Sequence, residues 1–377
     1  MITSLSLKDF KCFDTTNKEP IQFSQINLLT GSNGRGKSSV FQALLLLAQS
    51  FRNGKNIEKL RLNGRYVKLG TFDDVLRRDS TDKKISIGIT SDDNDDNEVS
   101  FLCGRDEKNP RTACAKLQAG KKGETLKDIV EVGGNDGQEA ANYLARSTSD
   151  IKAINQLRNI FFISADRQGP RNYVNREDEC NGNVGIHGEY VVHTLKEQEK
   201  TILNQVVDAV STIMGGASIT INDVDTEYIK ILIDSVDKKN GFKPVNVGFG
   251  YSYILPIIVL PLIVEDGAKL FIENPEAHLH PGAQSRLMEF LIRKAKEKNL
   301  QLFIETHSDH VINALRIAIK KQISSISKND AHIIHIGRNP QNSLPYIWQI
   351  KIDRNGNLSD YPQEFMDEWS MQMSQLI

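Results

Sequence analysis

The chain alternates between short apolar runs and longer segments with a helical repeat of apolar residues. Apolar runs typical of buried strands occur at Ile26–Thr30, Ile160–Ser164, Lys269–Ile272 and Leu300–Glu305. Between the last two runs, at Gly282–Lys298, apolar residues recur every three or four positions. Since strands that alternate with helices usually lie parallel, the pattern predicts an α/β fold with a mainly parallel sheet flanked by helices.

Further elements follow from the same periodicities. The predicted strands are Ile2–Phe10, Ile85–Ile89, Tyr228–Ile233, Ile333–Ile336 and Tyr346–Asp353, and the predicted helices are Ser39–Ser50, residues 188–215, Pro256–Val264 and Ser308–Lys321. The most apolar run, Ile254–Val264, has 11 residues and contains two prolines, so it is too short to span a bilayer. We therefore expect no membrane segment.

The composition excludes some classes of protein but does not identify the function. The 377 residues include 47 Lys and Arg against 48 Asp and Glu, and this net charge of −1 excludes a chain that coats nucleic acid through bulk positive charge. The four cysteines form no CxxC pair, which is typical of free cytosolic thiols. The N-terminus has no signal-peptide pattern, so the expected location is cytoplasmic.

One region lacks clear periodicity. Asp92–Glu98 is an acidic run and Gly120–Gly137 is rich in Gly and Lys. We predict an exposed, partly mobile insertion over about residues 91–150.

The strongest local signal is a phosphate loop at Gly31–Ser38, which matches the Walker A pattern GxxxxGK[ST] after a predicted strand and before a predicted helix. Lys37 would reach the β- and γ-phosphates of ATP, and the Ser38 hydroxyl would bind Mg²⁺. The glycines let backbone amides surround the phosphates at a helix N-terminus. The predicted nucleotide-binding residues of this loop are Asn33, Gly34, Gly36, Lys37, Ser38 and Ser39.

A phosphate loop also needs an acidic residue for the metal and a group that orients water. The strand Lys269–Ile272 is followed by Glu273 and, three residues later, Glu276, as in a Walker B segment. His307 follows the next apolar strand and could point toward a γ-phosphate. His278 and His280 could ligate a metal, but a loop at a subunit interface is the favoured interpretation.

A second Gly-Ser segment precedes the apolar helix. Gly248, Gly250 and Ser252 form a weak signal for another anion site built from backbone amides at a helix N-terminus.

Together these motifs resemble the ATP-binding-cassette ATPases of the SMC, RecF and OLD (overcoming-lysogenisation-defect) group. They are most similar to a bacterial group of predicted OLD-like AAA ATPases with a short uncharacterised C-terminal domain. The matching segments are FKCF at Phe10–Phe13, GSNGRGKSS at Gly31–Ser39, LNGRYVKLGTFDDVL at Leu62–Leu76, SADRQGPR at Ser164–Arg171, VGIHGEY at Val184–Tyr190, IENPEAHLHP at Ile272–Pro281, ETHSDHVINALR at Glu305–Arg316 and DYPQEFMDEW at Asp360–Trp369.

This resemblance implies a P-loop fold of the ABC ATPase head type, with an antiparallel N-terminal β lobe and a small helical insertion. Lobe I would occupy residues 1–170 and include the mobile insertion. A helical or lid insertion at 171–245 would precede lobe II at 246–345, which carries the signature, the Walker B strand and the switch His. A short C-terminal domain would follow at 346–377.

The resemblance also implies a homodimer that sandwiches two ATP molecules, with higher oligomers left open. The phosphate loop of one copy would face Gly248–Ser252 of the other. Lys37 and Ser38 carry over as phosphate and Mg²⁺ ligands. Glu273 carries over as the Mg²⁺ carboxylate, bound directly or through water, and His307 as the group that senses the γ-phosphate.

Two residues depart from the family pattern. Asn274 stands where related sequences place the Glu that activates water, so hydrolysis is expected to be slow or to use Glu276. Tyr253 stands where related sequences often have Gln, which leaves the contact made by Ser252 open. The expected reaction is still the hydrolysis of ATP to ADP and phosphate.

Three functions fit this sequence. The first is an ATP-dependent dimeric switch that controls a separate effector, a nuclease or a toxin, in bacterial antiphage defence, because no room is expected for a Toprim nuclease. The second is a RecF-like or SMC-like DNA-binding repair ATPase. The third is a regulator in which ATP binding matters more than turnover. The candidate DNA-contacting residues are Arg167, Arg171, Arg286, Arg293, Lys294, Lys296 and Lys298.

Overall fold

The computed structural model describes residues 1–14, 19–51, 59–92, 98–121, 126–130, 143–145, 152–175, 183–224, 228–234, 241–338 and 345–376. The chain divides into two units. Unit 1 contains residues 1–160, 332–351 and 360–377. Unit 2 contains residues 161–331 and 352–359.

Strands and helices alternate through much of the described chain. The strands are Ile2–Lys8 (β1), Ile21–Gln22 (β2), Ile26–Thr30 (β3), Lys59–Arg61 (β4), Ile85–Ser91 (β5), Glu98–Arg105 (β6), Thr112–Gly120 (β7), Lys127–Val130 (β8), Tyr143–Ala145 (β9), Ile160–Ile163 (β10), Val174–Asn175 (β11), Ser218–Asp223 (β12), Tyr228–Asp234 (β13), Lys269–Glu273 (β14), Gln301–Glu305 (β15), Ala331–Arg338 (β16) and Pro345–Ile350 (β17). The α-helices are Lys37–Phe51 (α1), Phe72–Val75 (α2), Lys152–Asn155 (α3), Val191–Glu197 (α4), Lys200–Met214 (α5), Gly250–Ile263 (α6), Pro281–Glu297 (α7), Asp309–Lys321 (α8) and Glu368–Ser374 (α9).

Unit 1 contains an antiparallel sheet in the order β2-β1-β5-β6-β7-β8-β9, with β4 paired to β7 and a parallel β8–β9 pair at its end. Alternating side chains fill its core, as in β5, where Ile85, Ile87 and Ile89 are buried. Phe51 at the end of α1 stacks on Phe101 of β6 with ring centroids 4.8 Å apart. This contact packs the helix that follows the phosphate loop against the sheet.

The expected mobile insertion at about residues 91–150 is wrong for part of its length. Strands β6 and β7 pair over eight positions from Glu98–Gly120 to Arg105–Ala113, so residues 98–105 and 112–120 are sheet. The centre of the acidic run and most of the Gly- and Lys-rich stretch lie outside the described residues. Sequence periodicity missed β6 because the apolar Leu102 lies on its partly exposed face and interrupts the alternation of apolar and polar residues.

Unit 1 also holds the strands next to the phosphate loop. Strand β3 is buried at all five positions, and it neighbours β16, which pairs antiparallel with β17. Helix α1 is buried on most sides, as the run of apolar residues predicted. The loop between β3 and α1 is therefore fixed at both ends by buried elements.

Unit 2 carries a parallel strand pair flanked by helices. Strands β10, β14 and β15 are adjacent in that order, and β14 and β15 pair in parallel with Glu273 opposite Glu305. Phe271 and Phe303 stack between the two strands with centroids 4.5 Å apart. Because both strands end at the same level, the residues after Glu273 and Glu305 leave the sheet side by side.

The insertion at 171–245 is only partly helical. Helices α4 and α5 are accompanied by a small antiparallel sheet in the order β11-β13-β12, which corrects the expectation of a helical lid. Helix α6 also begins at Gly250 instead of Pro256, and both Pro256 and Pro261 lie inside it. Proline usually marks a helix start, which explains the misplaced boundary.

The predicted C-terminal domain at 346–377 does not form a separate unit. Residues 352–359 belong to unit 2, and residues 360–377 belong to unit 1. Within the described part of the chain, none of the helices combines the length and apolar character needed to cross a bilayer.

Candidate functional site

Two glycines shape the phosphate loop between β3 and α1. Gly31 has φ +130°, and a Cβ there would lie 2.1 Å from the carbonyl oxygen of Ile336. Gly36 has φ +111°, and a Cβ there would lie 2.6 Å from Cys12 Sγ. Both positions require glycine because an L side chain is strained at such φ values and has no space here. The loop can therefore bring its backbone close to a ligand.

The lysine of the loop bends back over it. Lys37 is only 4% exposed, and its Nζ donates to the carbonyl oxygens of Gly31 at 2.7 Å and Ser32 at 3.0 Å. The amides of Ser39 and Val40 donate to the Gly36 carbonyl oxygen and close the first turn of α1. A buried ammonium, a helix N-terminus and a backbone that tolerates no Cβ together fit a polyphosphate.

The remaining predicted loop residues lie in the same segment of unit 1. Asn33 and Gly34 are exposed at its tip, and Ser38 is half-buried in the first turn of α1. The Ser38 hydroxyl is of the chemical type that binds Mg²⁺ in such loops. The donor set of the loop thus fits a nucleotide triphosphate with its magnesium ion.

A buried histidine that sequence reasoning missed lies behind the loop. His335 of β16 is 1% exposed, and its Nδ1 lies 3.1 Å from the hydroxyl of Thr30, the last residue of β3. Burial, helped by the charge of Lys37, lowers the pKa of His335 to about 4, although Glu364, a backbone hydrogen bond to Gln363 and Asp367 oppose the shift. His335 is therefore neutral at pH 7 and packs as an aromatic ring beside Phe365 and Trp348.

In unit 2, Glu273 is held at the carboxyl end of β14. Its Oε2 accepts hydrogen bonds from the Ala165 amide at 2.9 Å and the Ser164 hydroxyl at 3.4 Å. Burial raises the pKa of Glu273, and the two hydrogen bonds and the charge of Arg167 oppose this effect. The SADR segment after β10 thus orients the carboxylate predicted to bind Mg²⁺.

Arg167 is buried and is not a surface residue. It is 3% exposed, and its guanidinium donates to three carbonyl oxygens: Glu273 at 2.7 Å, Asn274 at 2.6 Å and Ser164 at 3.0 Å. Its Nε is buried without a partner. Burial lowers the pKa of Arg167 to about 10, although the nearby Glu276, Tyr253 and Glu273 raise it. Sequence reasoning placed this residue on a DNA-binding surface, and its burial corrects that assignment.

The turn after Glu273 has a strained backbone. Asn274 has φ +44°, its amide donates to the Glu305 carbonyl oxygen at 2.8 Å, and its own carbonyl accepts from Arg167. Asn is one of the few non-glycine residues that adopt positive φ readily. The residue at 274 therefore has a role in backbone geometry.

Glu276 and His307 are directly connected. Glu276 Oε1 accepts from the His307 amide at 2.9 Å, and Oε2 accepts from the Thr306 hydroxyl at 2.8 Å. The His307 side chain is exposed, whereas Thr306 is fully buried. The structure thus brings together the two predicted residues and ties the loop after β14 to the loop after β15.

The Gly-Ser segment begins α6, as an anion site at a helix N-terminus requires. A Cβ at Gly250 would lie 2.7 Å from the His278 carbonyl oxygen, so glycine allows this close approach. Nothing lies within 4 Å of a Cβ built at Gly248. Ser252 lines a cavity that His187 and Arg171 also line.

The histidines of AHLHP have packing and capping roles in this structure. The His278 ring lies 4.5 Å from the Tyr253 ring and 5.6 Å from the Phe249 ring, measured between centroids. The His280 side chain accepts a hydrogen bond from the Gly282 amide at the N-terminus of α7. The loop 277–280 and the segment 248–253 consequently form one continuous region of unit 2.

Comparisons with known proteins agree with this geometry. Residues 1–183 and 189–312 match the family model of the AAA ATPase domain, and residues 326–376 match a family described as a protein of unknown function, DUF3696. No curated protein sequence matches the chain.

Two solved structures have a similar fold. The crystal structure of an SMC head bound to the C-winged helix domain of ScpA is 13% identical, with a TM-score of 0.52, over 93% of this chain and 98% of that chain. The second is the crystal structure of an SMC head with an extended coiled coil, bound to the C-terminal domain of ScpA derived from Pyrococcus furiosus. It is 13% identical, with a TM-score of 0.51, over 100% of this chain and 99% of that chain.

These matches confirm the predicted fold class, a P-loop ATPase of the SMC-head type that combines a parallel sheet flanked by helices with an antiparallel sheet. The family model spans most of the chain and includes the phosphate loop, Glu273, Glu276 and His307. This chain belongs to the AAA ATPase domain family, and its fold is similar to that of SMC heads.

Proposed function

We propose that this chain binds ATP with Mg²⁺ at Gly31–Ser39 and hydrolyses it slowly to ADP and phosphate. The observation that carries the proposal is the shape of the loop, in which Gly31 and Gly36 leave no space for a Cβ and Lys37 lies over the backbone. This arrangement supports phosphate binding because it combines backbone donors with one buried positive charge.

In this proposal each residue has one task. Lys37 binds the β- and γ-phosphates, and Ser38 and Glu273 hold Mg²⁺. Bound Mg²⁺ would neutralise negative charge on the phosphates. Glu273 is kept in position by Ala165 and Ser164, whose hydrogen bonds fix its carboxylate.

Glu276 is the proposed base that accepts a proton from the attacking water. Asn274 cannot take this role, because an amide does not accept a proton as a carboxylate does. Each oxygen of Glu276 already accepts one hydrogen bond but keeps a second lone pair for water. The same carboxylate positions the backbone of His307 by accepting a hydrogen bond from its amide. We propose that His307 senses the γ-phosphate.

Multiple-turnover phosphate release tests the proposal. We expect Glu276→Gln to lower kcat at least about 100-fold while ATP binding persists, because general-base catalysis contributes about 10²–10⁴-fold. Glu297→Gln, a change on the surface of α7, is the matched control and should keep wild-type turnover. Wild-type turnover in Glu276→Gln would contradict the role of Glu276. Unchanged ATP binding in Lys37→Ala would contradict the nucleotide site itself.

We further propose that ATP closes a homodimer in which Gly248, Gly250 and Ser252 of one copy face the phosphate loop of the other. This part rests on the resemblance to ABC ATPases and on the exposed start of α6, where Phe249 is 54% exposed. Light scattering of Glu276→Gln with ATP, with ADP and without nucleotide tests it. A mass that is the same in all three conditions would argue against an ATP-dependent dimer.

The dimer is proposed to control a separate effector, a nuclease or a toxin, in antiphage defence in the cytoplasm. The support is by analogy, since both similar SMC heads were solved with a second protein, ScpA, bound to them. Co-purification with the product of the neighbouring gene under each nucleotide condition is the test. Absence of a complex in every condition would contradict this proposal.

The alternative of a DNA-binding repair ATPase is less well supported. Six of the seven basic residues proposed for DNA contact already bind groups of unit 2: Arg167, Arg286, Arg293, Lys294, Lys296 and Lys298. Charges engaged in this way contribute less to a phosphate-binding surface. Salt-dependent DNA binding in the presence of ATP would support the DNA-binding alternative.

A further inference from the structure

The C-terminal segment Gln363–Asp367 contacts the phosphate loop within unit 1. We call this segment the C-terminal strap. The Ser32 hydroxyl donates to Glu364 Oε2 at 2.8 Å, and Arg35 Nε donates to Ser32 Oγ at 3.1 Å. The strap thus places a carboxylate against Ser32, a variable position of the Walker A motif that also accepts a hydrogen bond from Arg35.

The strap is fixed by a buried anchor. Phe365 is 3% exposed and packs edge-on against His335, with ring centroids 5.2 Å apart. His335 in turn lies within hydrogen-bonding distance of Thr30 at the start of the loop. His335 therefore links the anchor to the strand end that leads into the phosphate loop.

The backbone around the anchor is strained. Glu364 has φ +64° and Met366 has φ +55°, so left-handed residues stand on both sides of Phe365. The Glu364 amide donates to Asp367 Oδ2 at 3.0 Å and closes the turn. Conformations of this kind persist only where surrounding contacts hold them. These contacts hold the strap in a conformation that places the Glu364 carboxylate next to the Ser32 hydroxyl.

A carboxylate at this place has an electrostatic consequence. The loop is shaped to bind phosphates, and a triphosphate competes with Glu364 for the Ser32 hydroxyl. Like charges also repel, so occupancy of the loop and the Glu364–Ser32 hydrogen bond oppose each other.

We propose that Glu364 is a positioning residue of the phosphate loop. It holds the Ser32 hydroxyl by a hydrogen bond and is displaced when a triphosphate binds. The C-terminal strap thereby couples nucleotide occupancy to helix α9, which follows it directly. The proposal rests on the proposed ATP binding and gives a physical role to a segment that matches a family of unknown function.

Coupling of this kind is reciprocal, so a change in the strap must change nucleotide affinity. Glu364→Gln keeps an acceptor for Ser32 but removes the charge. We expect it to tighten the Kd for ATP about 5-fold, the effect of removing one unit charge whose repulsion is screened as in bulk water. Glu107→Gln, an exposed residue of unit 1, is the control and should leave the Kd unchanged.

Calorimetric titration with ATP measures the affinities, and fluorescence follows the strap. The chain has two tryptophans, so the part of an ATP-dependent emission change that Trp369→Phe removes is the Trp369 emission of α9. We expect the Trp369 emission to shift on saturation with ATP and to shift less in the Glu364→Gln background. Circular dichroism checks that each variant is folded.

The outcomes separate this proposal from the proposed function. If the wild type does not bind ATP, or if Lys37→Ala binds it equally well, the nucleotide site is wrong. If wild type binds ATP and Lys37→Ala does not, the site stands. A Kd for Glu364→Gln within twofold of wild type, or a Trp369 emission unaffected by ATP, would then overturn the role of the C-terminal strap.

Discussion

Arg167 offers the sharpest test of how unit 2 holds its acidic turn. Replacing it with Met removes three hydrogen bonds from a charged donor to the carbonyl oxygens of Glu273, Asn274 and Ser164. Such bonds contribute about 1.5–3 kcal/mol each, or about 5–9 kcal/mol together. Burial of the guanidinium opposes this, since the pKa falls from 12.5 to about 10, which corresponds to about 3 kcal/mol. The expected loss in free energy of unfolding is therefore about 2–6 kcal/mol.

Urea denaturation followed by circular dichroism measures this loss. Hydrogen exchange of the peptide that contains Glu273–Glu276 gives a local measurement, because the Asn274 amide is bonded to Glu305 only while the turn is held. Arg167→Lys should recover less than half of the loss, since a single ammonium on a flexible stem replaces a planar group with five donors. Arg171→Gln, an exposed arginine in the same segment, should stay within about 0.5 kcal/mol of wild type.

The proposed link to catalysis adds a second measurement. If Arg167 orients Glu273 through the turn, Arg167→Lys should lower kcat more than it changes KM for ATP. The reasoning is refuted if Arg167→Met unfolds at the same urea concentration as wild type and exchange at Asn274 is unchanged.

Three further predictions follow from backbone geometry and burial. Gly31→Ala should lower the free energy of unfolding by about 2–4 kcal/mol in urea denaturation, whereas Gly34→Ala, which has space for a Cβ, should cost only about 1 kcal/mol. His335 binds its proton at a lower pH in the folded chain than in the unfolded chain. Wild type should therefore lose up to about 3 kcal/mol of unfolding free energy as the pH falls from 6.5 to 4. A pH series of His335→Gln should lack this loss. In thermal melts Asn274→Gly should be at least as stable as wild type, and Asn274→Leu should lose about 1 kcal/mol of unfolding free energy, because position 274 has positive φ.

The phosphate loop could be predicted from sequence because its signal is local. The strand, the glycines and the helix lie within 26 consecutive residues, from Ile26 to Phe51, and each is dictated by its own pattern. The adjacency of Glu273 and Glu305 could also be predicted from the sequence, because successive parallel strands of one sheet end at the same edge. Motif spacing is sufficient wherever the contacts that matter are close in the chain.

Long-range contacts to the backbone left no such signal. Arg167 binds carbonyl oxygens of residues more than 100 positions away, and any residue type has a carbonyl oxygen, so no partner was visible in the sequence. Glu364 instead contacts a side chain, the Ser32 hydroxyl, but the 332 positions between them place this contact beyond any local pattern. A charged residue whose partner is a backbone group cannot be told from a solvated one by pattern alone.

Asn274 is where sequence and structure lead to different interpretations. From sequence, an amide in place of the expected Glu indicates a weakened ATPase. In the structure, position 274 has positive φ and joins Glu305 to Arg167 through its backbone. Because Asn tolerates this conformation better than Glu does, geometry alone accounts for the residue. The backbone role explains Asn274 without requiring that hydrolysis be lost. The proposed chemistry depends instead on Glu276, whose carboxylate already contacts the loop of His307.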